Sequence, residues 1–513
     1  MSGVEGQPPL LELRGIVKRF GQVVANDRVD LTVAAGEILA LVGENGAGKT
    51  TLMQIAFGLL QPDAGEIRVD GVRQRFSSAL GAIGAGLGMV HQHFMLFPDL
   101  TVTENIVFGA EPSRLGLVER EVANQRVQEL AERHRFQVGP SAVVRDLSVG
   151  ARQQVEILKA LYREARILIL DEPTAVLGPE ERKSLFTVLE SLSQQGTAVV
   201  LITHKLREVM RIADRATVMR DGAVVGTVEV SVSSVEEISR MMTGRELTPP
   251  PARVEQLAGG PRLQAEGLCV ETPSGRRILQ DVSLEVDAGE IVGVAGAAGK
   301  GQRELVEALA GARPVASGSI RIADEILRRS SIASRRRLGM AWMPDDRDGT
   351  GATVEGSVLD NLIMGSEDRP DLAQGRRLRR AACERFAAAK IREYGIKCAG
   401  PRARMFALSG GNRQKVVLAR ELPLASAVLL SEQPTRGLDL RAAADVHRRL
   451  LEYRAEGGAV LMVSSDLGEL LDLADRILVM FEGRVVGRMR TSEATEERLG
   501  LLMSGALAEA MSG

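Results

Sequence analysis

The chain has 513 residues, more than one hydrophobic core holds, and predicts about two to four domains. Lys plus Arg (65) nearly balance Asp plus Glu (67), which removes any global electrostatic reason to expect nucleic acid as a partner. Three scattered cysteines (Cys269, Cys383, Cys398) fit no disulfide or zinc pattern and point to a reducing cytosol, with each a small apolar filler; no leader-like basic and apolar start follows Met1, and no run of about eighteen apolar residues spans a bilayer, so membrane association is expected only through partners.

The alternating segments Leu11 to Ile16 and Val29 to Val33 predict strands. The apolar run Ile38-Leu39-Ala40-Leu41-Val42 then leads into Gly43-Glu44-Asn45-Gly46-Ala47-Gly48-Lys49-Thr50, and a helix is expected from Thr51-Leu52-Met53. The spacing G-x-x-x-x-G-K-T between strand and helix is that of a phosphate-cradling loop. Its glycines let backbone N–H groups turn inward, and the helix N-terminus adds positive potential. Lys49 is placed for the β- and γ-phosphates and the Thr50 hydroxyl for Mg²⁺. Gly43, Asn45, Gly46, Gly48, Lys49, Thr50 and Thr51 are the candidate nucleotide contacts. Phe20, just before the strand that feeds this loop, suits adenine stacking or ordinary core packing equally.

Further on, Gln92 in Met89-Val90-His91-Gln92-His93 follows a strand and suits contact with metal and water. The apolar stretch His93 to Leu100 suits a docking surface or core packing. Residues 103–160 read as largely helical, with Val122 to Arg135 the clearest helix. Leu147-Ser148-Val149-Gly150 presents a serine cap and a glycine that leaves helix N–H groups open to an anion. The continuous apolar runs Ile167 to Leu170 and Ala198 to Ile202 read as buried parallel strands. The first ends in Asp171-Glu172, a metal carboxylate followed by a group placed to polarise a water; the second ends in Thr203-His204, which suits a γ-phosphate contact.

The pattern then repeats. Ala35-Gly36-Glu37-Ile38 recurs as Ala288-Gly289-Glu290-Ile291, an offset of 253 (290 minus 37). Leu147-Ser148 recurs as Leu408-Ser409, an offset of 261 (408 minus 147), so the second copy gains eight residues between these anchors. A repeat this long is a duplicated domain. The copies cover 8–246 and 262–506, with a Pro/Gly-rich linker over 247–261. In the second copy 357–420 is again helical, notably Arg376 to Tyr394, and Arg376, Arg377, Arg379 and Arg380 read as a solvated helix face because no aromatic residues are interleaved for stacking.

Together with Ser409-Gly410-Gly411 and Gln433-Pro434-Thr435-Arg436-Gly437-Leu438-Asp439, these motifs make nearly the whole chain resemble a fused pair of ATP-binding-cassette ATPase domains of a bacterial importer in the monosaccharide and nucleoside class. The run His91 to Leu96 is more similar to the nucleoside branch, with ribose or galactose uptake as the alternative. The resemblance implies an α/β fold: two tandem P-loop NTPase cassettes, each a RecA-like core with an antiparallel β subdomain and a helical signature subdomain. It implies ATP and Mg²⁺, two permease subunits, an extracytoplasmic solute-binding protein reached through them, no nucleic acid, and a peripheral place on the cytoplasmic face of the inner membrane. Glu172, His204 and Gln92 take catalytic roles, and Thr50, Gln92 and Asp171 take the metal. Head-to-tail pairing, within one chain or between two, sets Ser409, Gly410 and Gly411 against the first phosphate loop, and the stretch from His93 to Leu100 against a permease helix. A soluble double-cassette ATPase of translation or repair is the competing class, but those carry charged linkers, zinc modules or basic surfaces that this chain lacks.

The copies are unequal. Offset 253 sets Gln302 under Lys49, Arg303 under Thr50, Asp345 under Gln92 and Pro273 under Phe20; Lys300 falls elsewhere in its loop. Offset 261 sets Glu432-Gln433 under Asp171-Glu172 and Ser465 under His204. An amide takes no proton, and a cation in place of the hydroxyl repels a metal. The first signature carries Val149 where the second has Gly410, and Gly178 stands where the second copy has Asp439. Paired head to tail, the intact parts converge on one hydrolytic site and leave a second that binds nucleotide weakly or structurally.

Overall fold

The computed structural model describes residues 9–92, 94–114, 117–174, 177–244, 259–272, 274–297, 299–323, 325–327, 331–367, 369–375, 377–438 and 440–505. Two compact units divide the chain, Met1–Leu247 and Thr248–Gly513.

In the first unit the strands Leu11–Phe20 and Val23–Val33 pair antiparallel, and Ala64–Val69 and Val72–Gln74 extend the same four-stranded sheet. A second sheet has six strands in the order Ala223–Glu229, Arg215–Arg220, Ile38–Gly43, Ala198–Thr203, Ile167–Asp171, Leu87–Val90. All neighbours in it run parallel except the first pair. The three central strands are buried at every position, which is why their sequences are continuous apolar runs rather than alternating ones. Parity then sorts their side chains. Leu39, Leu41, Ile169, Val200 and Ile202 enter one core with the helix Lys49–Ala56, while Ile38, Leu168, Leu170, Val199 and Leu201 enter another with the helices.

The helical part comprises Val102–Val107, Arg120–Arg133 and Val149–Tyr162. Thr101 and Glu104 form a reciprocal capping box that starts the first of these. The helix expected from Thr51 begins two residues earlier, at Lys49, because Gly48 in the left-handed region (φ 95°) turns the chain directly into it.

The second unit repeats the plan. Arg277–Asp287, Pro261–Glu271, Ser317–Ile322 and Glu325–Leu327 form the antiparallel sheet. Met340–Met343, Val428–Glu432, Ala459–Val463, Ile291–Gly296, Arg476–Phe481 and Arg484–Arg490 form the larger one. Of the expected linker, residues up to 258 lie outside the described ones, and Pro261 already opens a strand paired with Asp287. The expected helix from Arg376 starts at Arg380 instead. Ala373–Gln374 and Arg377–Leu378 form a two-stranded ribbon turned by Gly375 (φ 57°), so Arg377 sits on that ribbon and not on a helix face. Arg376 lies outside the described residues, as do His93, Pro273 and Asp439.

Candidate active site

Strand order gathers the site. The phosphate loop leaves the C-terminal end of Ile38–Gly43, and the next three strands in the sheet end at Thr203, Asp171 and Val90. Thr203 lies beside Val42, Asp171 beside Ile202 and Val90 beside Leu170, so the ends are level. Residues that follow these ends therefore share one crevice, where parallel α/β sheets place their ligands.

Close approach dictates the loop glycines. A Cβ on Gly48 would lie 2.1 Å from the Ala25 carbonyl, and one on Gly43 would lie 2.3 Å from that of Met219. Buried Asn26 donates its Nδ2 to the Gly48 carbonyl at 3.1 Å. No motif singles out Asn26, since the contact depends on pairing of the N-terminal hairpin with a loop 22 residues on. Lys49 is buried and donates to the carbonyls of Gly43 (2.8 Å) and Glu44 (2.9 Å), so its ammonium curls over the loop. The helix it opens has no side-chain cap and no acidic residue in its first turn, which leaves its positive end to a ligand. Asn45 and Thr50 are exposed on the loop, and Thr51 is half-buried. Phe20 is about half exposed (48%), which rules out the core-packing reading; it pairs with Val23 at the tip of the hairpin that carries Ala25 and Asn26 to Gly48.

Thr50 Oγ1 lies 3.5 Å from Asp171 Oδ1. Burial raises the Asp171 carboxyl above its ordinary range, opposed by the Thr50 bond. Glu172 holds two partners: Gln92 donates Nε2 to its Oε2 at 3.0 Å, and His204 Nδ1 meets its Oε1 at 2.9 Å. The His204 hydrogen bond, more than any other influence, lowers the Glu172 pKa, so the carboxylate is ionised at neutral pH. Glu172, His204 and Gln92, from three strand ends, thus form one constellation beside the phosphate loop. Glu172 has a left-handed backbone (φ 48°), as does Gln433 (φ 45°) at the same register. Each donates its N–H to the adjoining strand, to Ile202 and Val463 respectively. The strain is therefore a feature of the fold, not of the chemistry.

The second unit keeps the geometry with different side chains at the matching registers. Gln302 Nε2 donates to the Ala297 carbonyl at 3.0 Å, the bond Lys49 makes to Glu44. Lys300 instead lies over the Phe481 ring with Glu482 Oε1 3.5 Å away. Arg303 pairs with Glu307, and Asp345, at the Gln92 register, pairs with Arg436. Gln433 Oε1 accepts from the N–H and hydroxyl of Ser465, both at 3.0 Å. Glu432 is buried and accepts from Trp342 Nε1 at 2.7 Å; burial pushes its pKa up to about 7. A carboxyl raised from 4.5 binds its proton more tightly folded than unfolded, so it costs stability as pH rises through that window. Glu432→Gln should therefore gain on the parent in stability between pH 5 and 8, by roughly 3 kcal/mol or less, which is read as a difference in thermal midpoint that widens with pH. A pH-independent difference would contradict this.

Both signature serines cap helices: Ser148 accepts from the N–H of Ala151 and Ser409 from that of Asn412. In the first unit, however, Glu181 Oε1 takes the Gly150 N–H at 3.0 Å and lies 3.4 Å from Ser148 Oγ. Sequence reading passed over Glu181, whose counterpart at offset 261 is Ala442. Ser409, Gly410 and Gly411 belong to the second unit and are described with it.

The sequence matches the family described as ABC transporter over residues 26–175 and again over 279–436. It is 42% identical over 496 residues to the guanosine import ATP-binding protein NupO of Bacillus subtilis (strain 168), covering 97% of each chain. It is equally 42% identical, over 536 residues, to the glucose import ATP-binding protein TsgD13 of Haloferax volcanii, covering 97% of this chain and 96% of that one. Among solved structures, the archaeal ribosome recycling factor aABCE1 in complex with stalk protein aP1 superposes with a TM-score of 0.65 over 95% of this chain and 92% of its own; at 22% identity this likeness is one of fold. The chain belongs to the ABC transporter family, as two of its ATPase domains in tandem.

Proposed function

We propose that this ABC ATPase powers uptake of a small solute, nucleosides before sugars, through two permease subunits fed by an extracytoplasmic solute-binding protein. The observation that carries the reading is the pairing of one complete and one eroded set of site residues in a chain 42% identical, end to end, to import ATP-binding proteins. The cassettes are taken as 8–246 and 262–506, joined by 247–261, and the chain sits peripherally on the cytoplasmic membrane face; among the described residues no helix is long and apolar enough to cross a membrane. Met95, Phe97 and Phe108 are exposed, the two rings 5.0 Å apart, and offer an apolar patch to a permease.

In this reading the loop N–H groups and Lys49 hold the phosphates of ATP, and Phe20 stacks on the base. Glu172, kept ionised and oriented by His204 and Gln92, aligns a water on the γ-phosphorus; the bond to the β-phosphate oxygen breaks and ADP leaves. Ser409, Gly410 and Gly411, on the signature segment of the second cassette, are taken as further nucleotide contacts. Thr50, Asp171 and Gln92 offer the hydroxyl, carboxylate and amide oxygens that suit Mg²⁺. Among the described residues no group of three or more His, Cys, Asp or Glu could hold a metal by itself, so the ion would draw its other ligands from phosphate and water, and it would neutralise phosphate charge. The glucose relative keeps monosaccharide uptake as the second reading.

The test isolates the chain from its membranes in mild detergent, identifies the accompanying proteins, and follows the thermal midpoint of the solute-binding protein with nucleosides, pentoses and hexoses. A ligand that binds only the native state raises that midpoint. A shift with nucleosides is expected; a shift with sugars alone would install the second reading. Recovery of ribosomes or nucleic acid without a membrane protein would overturn both.

A further inference from the structure

The helical part of each unit carries a two-stranded ribbon that runs into a 14-residue helix. In the first unit Ser113–Arg114 pairs with Leu117–Val118 ahead of Arg120–Arg133; in the second Ala373–Gln374 pairs with Arg377–Leu378 ahead of Arg380–Glu393. The offset is 260 (380 minus 120), which sets Arg377 under Leu117, Leu378 under Val118, Arg379 under Glu119 and Ala381 under Glu121. Both ribbons expose an apolar residue, Val118 and Leu378. Their charges differ. The first helix starts at Arg120 between two glutamates, and Arg120 lies 4.0 Å from Glu104. The second follows Arg379 with Arg380 and has no acidic residue in its first turn.

Cations at that place oppose the positive end of the helix, so they cost stability unless an anion faces them. Arg377, Arg379 and Arg380 are exposed, and among the described residues none of the three has a carboxylate within ion-pair distance. The acidic side chains on either side are already engaged: Asp371 pairs with Arg369 and Glu384 with Arg402. From Leu372 to Cys383 the sequence holds no acidic residue. The base of the ribbon is anchored, because Leu372, Ala373 and Cys383 are buried and Leu372 and Cys383 share a small core with Ile363. An anchored ribbon with unpaired cations around an exposed leucine matches a surface that is anionic outside and apolar behind. A bilayer of acidic phospholipid has that layering, with charge in the headgroups and an apolar boundary beneath them. Nucleic acid offers the charge, but Leu372 to Cys383 holds no aromatic side chain on which a base could stack.

We propose that this ribbon of the second unit rests directly on an anionic membrane surface, with Arg377, Arg379 and Arg380 among the lipid phosphates and Leu378 at the headgroup–acyl boundary. The contact uses residues of the second unit alone, requires no permease, and does not depend on which solute is carried. Each arginine close to an acidic membrane strengthens binding about fivefold, an effect that decays over about 8–10 Å at ordinary ionic strength.

The experiment sediments the full chain, without permeases, with phosphatidylcholine vesicles that do or do not contain phosphatidylglycerol. The parent binds the acidic vesicles, leaves the neutral ones, and is released by about 0.5 M salt. The triple variant Arg377→Gln, Arg379→Gln, Arg380→Gln binds the acidic vesicles roughly a hundredfold more weakly. Its thermal midpoint stays at or above the parental value, because the helix N-terminus sheds two opposed charges. The matching triple lysine variant keeps most of the binding, since a charged surface does not call for the guanidinium fork. Arg114→Gln with Arg120→Gln, on the ribbon of the first unit, binds as the parent does. The proposal is overturned if the parent fails to sediment with acidic vesicles, or if the triple glutamine variant binds within about threefold of it. Equal loss in the first-unit variant, or in the lysine variant, overturns it as well, the former by showing general charge and the latter a fork-specific ligand. So does single-stranded RNA that strips the parent from the vesicles through the same three arginines, which would make the ribbon a nucleic-acid surface. The vesicles hold no permease, so a failure here leaves the transport reading standing, and recovery of the chain without permeases leaves this contact standing.

Discussion

Glu172→Gln lowers steady-state ATP hydrolysis roughly 10²- to 10⁴-fold while ATP binding persists, because an amide can neither polarise the attacking water nor take its proton. The loss is chemical rather than structural. The second unit already holds glutamine at this register, Gln433, in the same left-handed backbone (φ 45° against 48°) and with the same N–H bond to the neighbouring strand. Gln433 Oε1 accepts from Ser465, and the amide oxygen of the variant has His204 as its partner in the same place. The native carboxylate has its pKa lowered chiefly by His204. Its contribution to stability is therefore present above the ordinary carboxylate range and lost as pH falls through the lowered value, so at neutral pH the variant forgoes a small stabilisation. Phosphate release and the thermal midpoint, each with and without ATP, check the result; parental turnover would remove Glu172 from the mechanism. The reciprocal change, Gln433→Glu, restores no second hydrolytic site, since Gln302 and Arg303 still stand where Lys49 and Thr50 do in the first unit.

Lys49→Ala weakens ATP binding about a hundredfold or more and abolishes turnover. Each charge-assisted hydrogen bond from the ammonium to phosphate is worth roughly 1.5–3 kcal/mol, or about one to two orders of magnitude in affinity. Lys49 is preset for this task. It is buried, and its ammonium is held over the loop by the carbonyls of Gly43 and Glu44, so little side-chain entropy is lost when phosphate arrives. Gln302→Ala at the equivalent register removes one neutral hydrogen bond to Ala297 and leaves ATP binding at the first site at the parental level. Titration of a fluorescent ATP analogue compares the two variants. An affinity for Lys49→Ala within threefold of the parent would show that the loop binds by its N–H groups alone.

Much of the site was legible because its parts are local. Gly43 to Thr50 is one continuous stretch whose spacing follows from the turn it makes, and a Cβ at Gly48 would strike the Ala25 carbonyl. The buried strands were legible as unbroken apolar runs because both of their faces are covered. The helix start at Arg380 was misplaced by four residues, since the arginines before it are good helix formers and only Gly375 and its ribbon redirect them. For Phe20, β-strand alternation does not say which end of a hairpin is covered; its exposure removes core packing and leaves the ring open to solvent.

Sequence alone determined that the chain holds two copies of one domain, which side chains stand at each register, and that one copy has lost a lysine, a hydroxyl and a carboxylate. These are properties of residue identity and spacing, which are complete in one dimension. Only the tertiary structure decided which distant residues meet. Gln92 and Glu172 are 80 positions apart, yet a hydrogen bond joins them because Leu87–Val90 lies beside Ile167–Asp171 in the sheet. Asn26 on the phosphate loop and Glu181 on the first signature are likewise products of strand order and loop length. Contacts of this kind depend on which strands pair and in what register, and that is settled by the packing of the whole domain rather than by any segment of it.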